Sequence, residues 1–118
     1  MNDCRICRLD EGQQVILRSD AVTFLQNEKE QGALRGSSVI IPVRHAETLF
    51  DLTPAEVDAT FVLLKHVKAW MDGEYHPDGY KVGWNCGAVG GQTAMHAHLH
   101  VIPRFPEEPR PGAASGKG

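Results

Sequence analysis

Three histidines, His96, His98 and His100, fall within five positions and alternate with Ala97, Leu99 and Val101. Alternation at period two marks a strand with one face on a core, so Ala97, Leu99 and Val101 are expected to point inward and the imidazoles outward. On a strand rising about 3.3 Å per residue the rings stand about 6.6 Å apart, close enough for neighbours to act on one bound group. Imidazole titrates near neutrality and binds metals, whereas a merely solvated strand would carry Lys, Glu, Thr or Ser more readily. Just ahead lies a glycine-rich loop, Cys86-Gly87-Ala88-Val89-Gly90-Gly91, whose successive backbone N–H groups are expected to face an anion. Such a row beside such a loop fits nucleophilic attack at phosphorus: one imidazole attacks, the loop stabilises the growing charge, and water releases a phosphohistidine. His98 is the central, best-flanked ring. A metal held by the row itself ranks second, because adjacent rings on a straight strand diverge too little to supply three ligands to one ion.

A second constellation is Cys4-Arg5-Ile6-Cys7. This spacing lets two thiolates reach one tetrahedral zinc but supplies only half the ligands. A redox pair would follow a strand and open a helix, and nothing upstream can form that strand. The residues alone leave zinc and an unmetallated pair of thiols open.

The elements that position these groups follow in order. Gln14–Arg18 and Ala21–Leu25 are short β-rich runs separated by Ser19-Asp20, which predicts an antiparallel hairpin. The polar stretch Asn27–Gly36 reads as a loop, and Ser38–Val43 as a third strand that ends near Pro42 or lies at a sheet edge. Thr53 as N-cap, Pro54 at the first helical position and Glu56 as capping-box partner open a helix expected to stop at Gly73. Val57, Phe61, Leu64, Val67 and Met71 are its expected buried stripe. Tyr80–Asn85 is a further strand, and the Pro- and Gly-rich tail over 105–118 is expected to be disordered.

With 118 residues and 42% hydrophobic content, the chain suits one compact domain. A net charge of −3 without a basic stripe argues against long nucleic acid but leaves a small anionic ligand open. No stretch reaches the roughly 20 apolar residues of a membrane span, and the polar start lacks the apolar core of a signal peptide, so a cytoplasmic location is expected. Three cysteines do not make a disulfide framework, which points to a reducing compartment.

His96-Ala97-His98-Leu99-His100-Val101-Ile102 resembles the signature of the histidine triad (HIT) superfamily, and Gly90-Gly91-Gln92-Thr93 is similar to its phosphate loop. Pro42-Val43-Arg44-His45 is similar to another family segment, and the likeness spans Cys4 to Arg104. The resemblance implies an α+β HIT-like fold over 1–104: a five-stranded antiparallel sheet with one long helix and a short one, usually as a homodimer whose sheets join. It implies hydrolysis or transfer of nucleoside monophosphates, with a purine nucleotide as the favoured small-molecule partner. His98 would be the nucleophile, its second nitrogen held by a backbone carbonyl near His96. His100 and Asn85 would contact the phosphate region, and Gly91, Gln92 and Thr93 would position it. Phe24, with Ile6 and Leu9, would line the base pocket, and Gln26 would take the ribose place usually held by a carboxylate. Bacterial-type members with Cys-x-x-Cys imply a structural Zn2+ on Cys4, Cys7, His45 and His96, leaving Cys86 as a free thiol. Three activities stay open: a nucleotide hydrolase acting on phosphoramidates or dinucleoside polyphosphates, a nucleotidyltransferase active only with an acceptor, and a zinc-stabilised nucleotide-binding module.

Overall fold

A computed structural model describes Cys4 and residues 12–106 of the chain. Five strands, β1 (Gln13–Arg18), β2 (Val22–Asn27), β3 (Ser38–Pro42), β4 (Gly79–Trp84) and β5 (Leu99–Arg104), combine with one long helix, α1 (Pro54–Tyr75). The strands form one antiparallel sheet in the order β1-β2-β3-β5-β4, which is the expected α+β architecture. No second α-helix forms among the described residues; the short helical pieces are single turns of 3₁₀ helix at Glu28–Glu30, inside the stretch read as a loop, and at Leu49–Asp51. The β1–β2 hairpin closes where Ser19 N–H donates to the Val22 carbonyl at 2.8 Å. Cys7, Ile6, Leu9 and the tail from residue 107 lie outside the described residues.

α1 starts as its sequence dictates. The Thr53 hydroxyl accepts from Glu56 N–H at 3.1 Å, and the Glu56 carboxylate accepts from Thr53 N–H at 2.8 Å. The same carboxylate takes two bonds from Arg44, at 2.8 and 3.0 Å, which ties the helix start to the segment after β3. The helix does not stop at Gly73. It runs to Tyr75 and is closed by His76 in the left-handed region (φ 51°), whose N–H donates to the Asp72 carbonyl. A lone helix-interior glycine costs only about 1 kcal/mol, less than a packed final turn contributes.

The buried stripe is also rotated from expectation: it is Glu56, Thr60, Leu63, Val67 and Met71, while Phe61 is 54% exposed. Two polar residues disguise that face in the sequence. Glu56 is satisfied by Arg44, and Thr60 donates to the Glu56 carbonyl at 2.7 Å. Leu63, Val67 and Met71 pack on one face of the sheet, against Val22, Phe24, Ile40, Leu99 and Val101. The opposite face carries a smaller apolar cluster of Leu25 and Ile41 with Val39, Ala94 and Cys4.

Candidate functional site

The imidazoles lie on that opposite face. Ala97, Leu99 and Val101 are buried, as the alternation predicts, but His96 and His98 precede β5 and are buried as well. The imidazoles were expected to point outward from a strand, and for His96 and His98 that is corrected: both are buried in the approach to it. Ala97 N–H donates to the Ala46 carbonyl at 2.6 Å, pinning the irregular approach to β5 against the segment after β3. This covers the first two rings and leaves His100, opposite Val39 in the β3–β5 register, half-buried.

Each ring has a distinct setting. His98 Nδ1 lies 2.6 Å from the His96 carbonyl oxygen. A carbonyl only accepts, so Nδ1 carries the proton and Nε2 keeps the lone pair needed for attack. The ring of His100 stands 4.7 Å from that of His98 at 72°, and its buried Nε2 has no hydrogen-bond partner among the described residues. An orphaned buried nitrogen is costly until a ligand reaches it. Burial, then the neighbouring His98 and Lys81, hold His100 below the ordinary histidine pKa, so it is neutral at pH 7.

His96 turns the other way. Its Nε2 lies 3.0 Å from the Pro42 carbonyl, so Nδ1 is the unprotonated nitrogen, and it sits 3.5 Å from Cys4 Sγ. The His45 ring packs edge-on against His96, with centroids 5.0 Å apart. Ligand atoms of Cys4, His45 and His96 all fall within 4.8 Å of one another. Burial lowers the pKa of His96, keeping it in the neutral form a metal requires.

The glycine-rich loop is folded differently from expectation. N–H groups of Gly87, Gly90, Gly91 and Gln92 all donate inside the loop, to Gln92 Oε1 or to the Gly87 and Ala88 carbonyls, so they do not form an anion cradle. Gly91 holds φ +98°, a conformation other residues rarely adopt, with its ideal Cβ position close to Asn85. The Gln92 side chain is buried and used at both ends: Oε1 accepts from Gly87 N–H at 2.8 Å, and Nε2 donates to the Glu47 and Ala94 carbonyls. Gln92 therefore shapes the loop, whereas Thr93 lines the cleft beside His98 and His100.

That cleft also corrects two expected binding residues. Phe24 is fully buried on the helix face, edge-on to Trp70, and Gln26 donates there to Ser38 Oγ and Tyr75 OH, each at 3.0 Å. Their neighbours Leu25 and Asn27, with Val39 and Gln13, line the histidine-side cleft instead. A one-residue shift exchanges the faces of a strand. Gln13 Oε1 is a buried acceptor without a partner among the described residues. Asn85 stands across His100, on the wall of a second cleft, with its amide 3.5 Å from the Gly91 carbonyl. Cys86 is a free thiol.

Fold and site together define an open-faced α+β protein with a histidine-lined cleft. The chain belongs to the HIT domain family, which it matches over residues 9–107. It is 32% identical over 93 residues to the asymmetrical bis(5'-nucleosyl)-tetraphosphatase of Schizosaccharomyces pombe, covering 79% of this chain and 50% of that protein. With AP-4-A phosphorylase of Mycobacterium tuberculosis it shares 32% identity over 71 residues, 59% of this chain and 36% of the relative. The chain thus spans half or less of the length of these relatives. A HIT family protein from Bacillus anthracis has the same fold, with a TM-score of 0.80 at 23% identity, covering 99% of this chain and 87% of that one. Among the described residues no helix is long and apolar enough to cross a membrane.

Proposed function

We propose that this protein is a nucleotide hydrolase that cleaves a phosphoramidate or phosphoanhydride bond at the α-phosphate through a nucleotidyl-histidine intermediate. The observation that carries the reading is the His98 Nδ1–His96 carbonyl contact of 2.6 Å, which leaves Nε2 as a lone pair beside the cleft. Nε2 attacks phosphorus, the N–P bond forms, and the bond to the departing nitrogen or oxygen breaks with its electron pair on the leaving group. The imidazolium so formed keeps its Nδ1–H on the carbonyl. Water then attacks phosphorus, the N–P bond breaks, and the nucleoside monophosphate leaves while the water proton passes to solvent. His100, neutral and with an unpartnered Nε2, is suited to a phosphate oxygen if that nitrogen carries the proton. The nucleoside end fits the cleft walled by Leu25, Asn27 and Val39. Support from relatives is their names, which describe enzymes acting on dinucleoside polyphosphates.

A structural Zn2+ on Cys4, His45 and His96, with Cys7 as fourth ligand, belongs to the same reading. The 3.5 Å Sγ–Nδ1 separation equals the edge of a tetrahedron built from Zn–S and Zn–N bonds of about 2.3 and 2.0 Å. A ligating imidazole normally donates its other N–H, as His96 does to Pro42. The metal would stiffen the approach to β5 and take no part in the reaction. A cytoplasmic homodimer completes the proposal, supported by a cysteine count of three, which makes no disulfide framework, and by Val82, 46% exposed on the edge strand β4.

The test is release of nucleoside monophosphate from a panel of adenosine phosphoramidate, guanosine phosphoramidate and dinucleoside polyphosphates. Wild type is expected to turn over at least one, and His98→Ala to lose at least about a thousandfold in rate. Turnover retained in the variant would overturn the nucleophile assignment.

A further inference from the structure

Resting on that reading of the site, we propose that the cleft on the β4 side of His100 receives the leaving group and that Lys81 selects an anionic, phosphate-bearing one. Two clefts meet at His100. The first is walled by both His98 and His100; the second is walled by His100, Asn85, Gly83 and Lys81 but not by His98. Displacement at phosphorus sets the attacking and departing atoms roughly in line on opposite sides. A group leaving opposite His98 Nε2 is therefore directed past His100 into the second cleft.

The sheet register places the charge there. Gly83 lies directly opposite His100, and Lys81 lies opposite Ile102, two residues along each strand, so all four share the face that carries the site. Gly83 adds no side chain between His100 and Lys81. Among the described residues Lys81 has no carboxylate within ion-pair distance. The one acid on this wall, Glu30, stands on the rim common to both clefts, where it accepts from Ser37 Oγ at 3.5 Å. The charge of Lys81 already reaches His100, whose pKa it helps to lower.

The chemistry separates two classes of substrate. With a polyphosphate, the N–P bond forms at His98 while a P–O bond breaks, and the departing phosphate oxygen keeps the electron pair as an anion that the Lys81 ammonium neutralises. With a phosphoramidate, the P–N bond breaks and nitrogen leaves as a neutral amine after taking a proton from solvent. It presents no charge to Lys81.

The experiment compares kcat/KM for diadenosine tetraphosphate and adenosine phosphoramidate in the full chain, as wild type, Lys81→Ala and Lys81→Arg. Lys81→Ala is expected to lose about tenfold or more on the tetraphosphate and less than about threefold on the phosphoramidate. Lys81→Arg should recover most of that loss, and the wild-type preference should shrink as salt is raised, since exposed charges are screened within about 10 Å at 0.1 M. Equal losses on both substrates, or a gain on the tetraphosphate, would overturn the role of Lys81 while leaving the hydrolase reading intact. Turnover of neither substrate by wild type would overturn both.

Discussion

On the helix side of the sheet, Val22, Phe24, Ile40, Leu99 and Val101 close on Leu63, Val67 and Met71, and the buried polar groups of this side are each satisfied, Glu56 by Arg44, Thr60 by the Glu56 carbonyl and Gln26 by Ser38 and Tyr75. On the other side the same strands bury two imidazoles and part of a third above a small apolar patch. The first face is held by area removed from water, which is indifferent to direction. The second is held by single directed bonds: His96 to Pro42, His98 to the His96 carbonyl, Gln92 to Gly87, Glu47 and Ala94. One face therefore sets stability, and the other sets geometry at the cost of leaving His100 Nε2 and Gln13 Oε1 unsatisfied.

Substitutions on the two faces should separate these roles. His98→Ala, the largest effect on rate, should lower stability by only about 1 kcal/mol, the value of one net hydrogen bond. Phe24→Ala should do the reverse, costing about 3–5 kcal/mol in urea unfolding through the cavity left against Trp70, and a loss below about 1 kcal/mol would show that the helix face is not the stabilising one. Gln92→Ala leaves Gly87 N–H and the Glu47 and Ala94 carbonyls without their partner and should cost about 1–3 kcal/mol together with turnover, because the loop is no longer fixed. If rate survives that substitution, loop order is not part of the site.

Cys4→Ser tests the edge of the histidine face. Elemental analysis of the wild-type protein should find about one zinc per chain, and the variant should lose it and melt at a lower temperature. Metal content that does not change would refute the ligand set. The smallest effect lies at the start of α1. Hydrogen bonding to Arg44, helped by Thr53 and opposed by burial, holds the Glu56 carboxyl below its ordinary value. Its folded pKa is below its unfolded one, so the stabilisation is present above the ordinary carboxylate range and is lost as pH falls through the folded value. Arg44→Gln should move the acid-unfolding midpoint seen by circular dichroism to higher pH; an unmoved midpoint would mean that the pair contributes nothing.

The first four strands were legible to within a residue or two because hydrophobic runs and turn residues sit in plain alternation, whereas β5 starts only at Leu99, after two of the histidines expected on it; the start of α1 was legible because Thr53, Pro54 and Glu56 form a local code. Which face a residue takes was harder. In β2 every residue from Val22 to Gln26 is buried, so period two carries no sign of which set meets the helix, and Phe24 and Gln26 were placed on the wrong side. In α1 the buried Glu56 and Thr60 concealed the true stripe, since each is satisfied by a partner that sequence spacing does not reveal.

By itself, then, the sequence determined the period-two histidines, the helix cap and the order of strand-forming segments, all of which depend on neighbours a few residues apart. Only the tertiary structure decided that Leu25 and Asn27, not Phe24 and Gln26, wall the cleft, that the loop amides turn inward, and that Cys4, His45 and His96 converge. Those outcomes rest on contacts as distant as the 92 positions between Cys4 and His96. No local spacing encodes such a meeting; it exists only once the sheet has set its register and the helix has covered one of its faces.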